Sequence, residues 1–284
     1  MNRRSLALTT VSIAALTLTV TGCTTQTDTT NAVPPSIEHV HGIAADPRGE
    51  DLFIATHGGI FTLTETGEMT GPIGDHDFDA MGFTTLGDTL FASGHPGMTT
   101  AEELGAPNLG IIRSDDFGAT WSPVALNGSA DFHVLTAAPD GMLYGFASTE
   151  VELLASADEG RTWTPRASFS AADLAATTDG LYAAAEEGLL ISTDNGGTFD
   201  PVEGAPVLYT IAASPDGTLA GVGTDGVLWS YGADGHWQRM QSLQGAAQAF
   251  SVIDSDRFVL VDDRGIVEVT PDDTTILAPA RAAD

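Results

Sequence analysis

The sequence predicts an all-β protein, a six-bladed β-propeller, on three observations. The segment Ser-x-Asp-x-Gly-x-Thr-aromatic occurs three times, at Ser114–Trp121, Ser156–Trp163 and Ser192–Phe199, at intervals of about forty residues. A second pattern aligns without gaps over His41–Gly49, His133–Gly141 and Tyr209–Gly217: a short strand, a Pro/Asp-Gly turn, then a second strand. No segment carries a 3.6-residue apolar period over three turns, so an α/β chain is hard to defend.

Along the chain, Arg3 and Arg4 form a basic start, Leu6 to Val20 an apolar stretch, and Val20-Thr21-Gly22-Cys23 closes it with small residues before a thiol. The stretch is shorter than the roughly twenty residues of a membrane span. It resembles a lipoprotein leader, which implies cleavage after residue 22, acylation of Cys23, export, and tethering to the outer face of the cell membrane. Residues 23–35 are Thr-rich and end in Pro34-Pro35, as suits a tether. Residues 36–284 are then the propeller. Its units begin near residues 39, 77, 131, 171, 207 and 247, each reading as strand, hairpin, strand and a second hairpin, which makes four strands per blade. Seven blades, or a last blade completed by the N-terminal strand, are the alternatives.

The Ser-Asp-Gly-Thr-aromatic segments resemble Asp-boxes. In such a hairpin the carboxylate accepts backbone N–H groups, the Gly takes a positive φ, and the aromatic ring packs between sheets. The expected role is structural. Ser230–Trp237 reads as a decayed fourth copy.

The 284 residues carry 39 Asp and Glu against 10 basic residues, all arginine, for a formal charge of −29. A field of that sign repels nucleic acid and concentrates cations, so no nucleic-acid partner is expected. Cys23 is the only cysteine, which excludes an internal disulfide and a thiolate cluster.

Six of the seven histidines fall in the first three units. The aligned position at the start of each first strand is His41, Met81, His133, Ala172, Tyr209 and Phe250. Two residues earlier, on the same side of a strand, stand His39, Asp79 and Asp131. His57 and His95 end the second strands of units one and two, Met98 follows in the next loop, and His76 leads into unit two. All six of these histidines are expected on one face. Imidazoles with a thioether and carboxylates suit a borderline or soft transition metal. Copper fits this set best and zinc next. His41, His133 and Met81 are the expected ligands, with His39, His57 and His95 as alternates or outer support, and no organic cofactor is expected. The expected role is metal capture or delivery outside the membrane. Histidines that only bond between blades are the plainer alternative.

The repeat covers residues 39 to about 275 and resembles sialidases, xyloglucan-type glycosidases, sortilin-like receptors and photosystem assembly factors. By its His-x-His-Gly opening and its Met-Gly-Phe and Gly-His-Pro-Gly segments, the chain is most similar to bacterial lipoproteins labelled BNR-repeat or sialidase-like glycosyl hydrolases. That resemblance implies a glycoside hydrolase as the alternative function; by their place on the expected face Asp79 and Asp131 are its candidate carboxylate pair, with Asp77, Glu150 and Glu152 as further candidates. A sialidase site also needs three arginines around a tyrosine, and no arginine aligns with Tyr209. Fold does not carry function, so a scaffold that binds an extracellular protein or glycan is the third reading.

Overall fold

The computed structural model describes residues 39–148, 151–232 and 234–280. The leader, Cys23, the tether and Glu150 lie outside the described residues.

The described chain folds into six four-stranded antiparallel sheets, the blades of a β-propeller. Blade one comprises β1 (Val40–Ala45), β2 (Leu52–Thr56), β3 (Gly59–Leu63) and β4 (Met69–Thr70). Blade two has β5 (Asp79–Leu86), β6 (Thr89–His95), β7 (Ile111–Ser114) and β8 (Ser122–Ala125). Blade three has β9 (Phe132–Ala137), β10 (Leu143–Ala147), β11 (Glu152–Ser156) and β12 (Thr164–Ser168). Blade four has β13 (Ala171–Thr177), β14 (Gly180–Ala185), β15 (Gly188–Ser192) and β16 (Asp200–Pro201). Blade five has β17 (Leu208–Ala213), β18 (Leu219–Gly223), β19 (Val227–Tyr231) and β20 (Trp237–Ser242). Blade six has β21 (Ala249–Val252), β22 (Phe258–Asp262), β23 (Gly265–Val269) and β24 (Thr274–Pro279).

In every blade the strands pair in chain order. The first strands β1, β5, β9, β13, β17 and β21 contact one another in sequence, and β21 meets β1 to close the ring. Burial follows this arrangement. The second strands of blades one, three, five and six are buried at every position, because neighbouring blades cover both of their faces. The fourth strand of blade three, Thr-Pro-Arg-Ala-Ser, is mostly exposed, which its polar sequence permits.

The blade count is six, and each blade is built from its own consecutive strands. Among the described residues no N-terminal strand completes the last blade, so side chains hold the seam. Val40, Ile43, Leu52 and Ile54 pack with Val259, Val261 and Ile266 across it. Arg257 bridges from blade six to Glu50 at 3.0 Å. Gly67 sits against the Leu277 carbonyl at a φ of 82°, where a Cβ would lie 2.2 Å from that oxygen. Only glycine permits this approach.

The three Ser-Asp-Gly-Thr hairpins join third and fourth strands in blades two, three and four, and one hydrogen-bond set recurs in each. Ser114 Oγ accepts the Gly118 N–H and donates to Asp116 Oδ1, both at 2.8 Å. Asp116 in turn accepts the Thr120 N–H at 2.8 Å and its hydroxyl at 2.7 Å. The copies at Ser156 and Ser192 repeat these bonds at 2.8 to 2.9 Å. Trp121, Trp163 and Phe199 pack on Phe78, Phe132 and Phe169, near the start of the first strand of the same blade. Gly160 and Gly196 rest on Ile111 and Leu153 of the preceding blade, and Gly118 on Ile73 in the segment that joins blade one to blade two. Each hairpin therefore wedges two blades together. The decayed copy lacks the pattern: Asp234 accepts the His236 N–H, and Trp237 Nε1 is buried without a partner.

These bonds set two stability predictions. Ser114 is buried, and Ser114→Ala leaves the buried Gly118 N–H without an acceptor, at a cost of about 1–3 kcal/mol. Thermal unfolding of the variant should show a lowered Tm. Bonds from Thr120 hold the Asp116 carboxyl below its ordinary range, and bonds from Thr198 hold Asp194 at about 2, against an ordinary 3.8. Their stabilisation is present above pH 4 and lost as pH falls toward 2. In acid titrations followed by circular dichroism, Asp194→Asn should lose less stability between pH 4 and 2 than the parent.

Candidate metal centre

Five of the six first strands begin with an extra residue. In blade one Val40 pairs with Thr56 and Gly42 with Ala55, which leaves His41 out of the ladder. The same slip omits Met81 between Ala80 and Gly82, His133 between Phe132 and Val134, Ala172 between Ala171 and Asp173, and Tyr209 between Leu208 and Thr210. In blade six Phe250 pairs regularly with Leu260. A bulge breaks the two-residue alternation and re-aims a side chain. The six aligned positions of the sequence thus include every residue omitted from the pairing of a first strand with its second strand.

At the junction of blades one and two, His41, His57 and Asp79 bring their ligand atoms together. His41 Nε2 lies 3.2 Å from His57 Nδ1 and 3.5 Å from Asp79 Oδ1, and His57 Nδ1 lies 2.9 Å from Asp79 Oδ2. The His39 ring stands edge-on to His57, with centroids 5.2 Å apart. Asp79 belongs to blade two, so the carboxylate of one blade serves the histidines of the blade before it.

A second group forms at the junction of blades two and three from His95, Asp131 and His133. Asp131 is 5% exposed, and its Oδ2 meets His133 Nε2 at 2.7 Å and His95 Nε2 at 3.3 Å. The other ring nitrogen of His95 faces the Pro107 carbonyl at 3.4 Å. Gly94 sets the approach to His95. Its φ is 142°, and a Cβ there would lie 1.9 Å from the Asp79 carbonyl oxygen.

Asp79 Oδ1 and Asp131 Oδ1 are buried with no hydrogen-bond partner. A buried ionised oxygen without a partner is costly. Ligand atoms on a tetrahedral ion with bonds near 2.1 Å stand about 3.4 Å apart; the spacings of 3.2, 3.5 and 3.3 Å match this, while the 2.9 and 2.7 Å contacts are hydrogen bonds that an ion would have to open. Burial also lowers the basicity of His41. The Asp79 carboxylate opposes that shift, while His57, His39 and His133 reinforce it. His41 is thus favoured as the neutral imidazole that ligation requires.

Four of the expected histidine ligands enter these groups, and His39 stands beside the first. Asp79 and Asp131, the carboxylate pair of the glycosidase alternative, lie in separate histidine groups. Met81 is the half-buried bulge residue of β5, the strand that packs between β1 and β9. Met98 is fully exposed. His76 departs from the expected face: its Nε2 contacts the Ala119 carbonyl at 3.0 Å, in the box hairpin of blade two. Five histidines gather, and the sixth braces a hairpin.

The further acids have other work. Asp77 accepts the Thr99 N–H at 2.9 Å and the Thr100 hydroxyl at 3.1 Å, pinning the loop after His95. Glu152 pairs with Ser168 in blade three. The Tyr209 hydroxyl accepts the Ala247 N–H at 2.7 Å, and burial raises its pKa, so it is a brace between blades rather than a nucleophile.

No protein-family model and no characterised protein sequence matches the chain. Solved structures do match in fold. A GH74 enzyme from Niastella koreensis superposes with a TM-score of 0.59 at 15% identity, covering 84% of this chain and 45% of that one. YCF48 bound to a D1 peptide gives 0.52 at 15% identity, over 84% and 80% of the two chains. Virginiamycin B lyase from Staphylococcus aureus gives 0.54 at 16% identity, over 85% of each. The chain spans about half of the GH74 enzyme. At these identities the likeness establishes the propeller fold alone.

The electrostatics of the first group give a prediction. By proton NMR, His41 should titrate below the ordinary histidine value of 6.5. Asp79 is the one group named here that raises its pKa, so Asp79→Asn should move the midpoint lower still. An upward move would contradict the arrangement.

Proposed function

We propose that this propeller binds a first-row transition metal on the face formed by its first three blades, copper by preference and zinc next. One observation carries the reading. Two carboxylates, each with a buried unpartnered oxygen, face two imidazole nitrogens apiece at spacings suited to a small ion. Nitrogen and carboxylate donors suit divalent ions, and for a given site of this kind copper(II) binds more tightly than zinc. The acidic surface supports the reading by concentrating cations. With Cys23 acylated, the protein would hold its metal at the outer face of the cell membrane, for capture or delivery.

Two other readings are consistent with the propeller fold shared with a GH74 enzyme and with YCF48 bound to a D1 peptide: a glycoside hydrolase using Asp79 and Asp131, and a protein-binding scaffold.

The test is thermal unfolding of residues 36–284, metal-free and with copper(II) or zinc(II). A ligand of the native state stabilises it by mass action, by about 2.7 kcal/mol at a hundredfold excess over Kd, and so raises Tm. The rise should shrink in His41→Ala and in His133→Ala. No shift at micromolar metal would refute the proposal. Sugar release abolished by Asp79→Asn would favour the hydrolase instead.

A further inference from the structure

The two histidine groups are not copies of one another, and the blade repeat shows how they differ. At the first junction the ligands come from three positions. These are the bulge of the first strand (His41), the residue that follows the second strand's partner of the residue before that bulge (His57, after Thr56), and the residue two before the bulge of the next blade (Asp79). The same positions at the second junction are Met81, His95 and Asp131, with His133 added from the bulge of blade three. Met81 thus stands where His41 stands in the first group.

The strand register supports this equivalence. Met81 is omitted from the ladder between the pairs Ala80–Gly94 and Gly82–Ser93, beside the end of β6, where His95 lies. His41 is omitted between Val40–Thr56 and Gly42–Ala55, beside His57, and from there its ring reaches His57 at 3.2 Å. The Met81 nitrogen would be 3.0 Å from a Cβ on Gly94, so the two strands touch one residue before His95. Both bulged residues are half-buried.

We infer that the second junction is a copper(I) site, in which the Met81 thioether joins His95 and His133, while the first holds a divalent ion. This rests on the metal-binding reading above. A thioether is a soft donor that favours copper(I), and imidazole serves either oxidation state. The first group offers two imidazoles and a carboxylate with no sulfur, a set that suits zinc(II) or copper(II). No electron transfer is involved: the two sites select between ions supplied from outside.

The test uses residues 36–284, which contain the whole closed ring. Copper(I) is titrated anaerobically against a competing chromophoric chelator, and zinc(II) is titrated separately. Met81→Leu keeps the side-chain volume and removes only the sulfur. It should weaken copper(I) binding at least tenfold, leave zinc(II) binding unchanged at the first junction, and remove a sulfur scatterer from the X-ray absorption spectrum of the copper(I) protein. His41→Ala should remove the zinc(II) equivalent of the first junction while copper(I) stays bound. Equal copper(I) affinity in Met81→Leu and parent, with matched Tm, would overturn this assignment and leave the metal reading standing. Failure of copper(I), copper(II) and zinc(II) alike to bind the parent would overturn both.

Discussion

An antiparallel ladder pairs residues one to one, so an extra residue must leave the pattern and turn its side chain elsewhere. In this propeller the extra residue sits at the start of the first strand in five blades of six, where inner strands of neighbouring blades meet. The bulge frees His41 and His133 from the alternation of their strands and lets them reach partners on other strands. Without it, the next residues would take their places. A glycine follows His41 and a valine follows His133, and neither carries a ligand.

The rest of the fold keeps these positions fixed. Blades are bound by apolar second strands that both neighbours cover, and by box hairpins wedged between a blade and its predecessor. The junctions before blades two, three and four carry a box with its aromatic ring, and direct bonds between strands of neighbouring blades add to the apolar packing. Ser93 accepts the Phe132 N–H at 2.9 Å, and Asp173 accepts the Thr210 hydroxyl at 2.7 Å and the Ile211 N–H at 3.0 Å. Burial pushes Asp173 up to about 6 while those bonds pull it back, so this strut is a buried carboxyl retained for its hydrogen bonds. Among the described residues the ring closes without a shared strand, and Glu50, Arg257 and the apolar seam hold it.

The fold was legible because its signals are local. A Ser-Asp-Gly-Thr hairpin is a self-contained set of bonds within about eight residues, and the strand and turn repeats are short. Alignment of the repeats also found the bulge positions, although nothing in the residues themselves marks a register slip. What could not be read was contact between units. His76 precedes blade two in sequence, yet its partner Ala119 lies 43 residues on, in a hairpin whose reach depends on the packing of two blades. Asp79 and Asp131 were visible as a repeated position, but their service to the preceding blade depends on the direction of the ring. The decayed box at Ser230–Trp237 was legible from its shifted Asp and Gly, and it leaves the Trp237 Nε1 unpaired.

The central claim is that blade junctions, rather than single blades, assemble the ligand sets. Anomalous diffraction from zinc-loaded crystals of residues 36–284 tests it most directly. The account predicts zinc density among His41 Nε2, His57 Nδ1 and Asp79, where the carboxylate of blade two meets the histidines of blade one. Zinc bound only at box hairpins or scattered surface acids, with both histidine groups still hydrogen-bonded to their carboxylates, would contradict it.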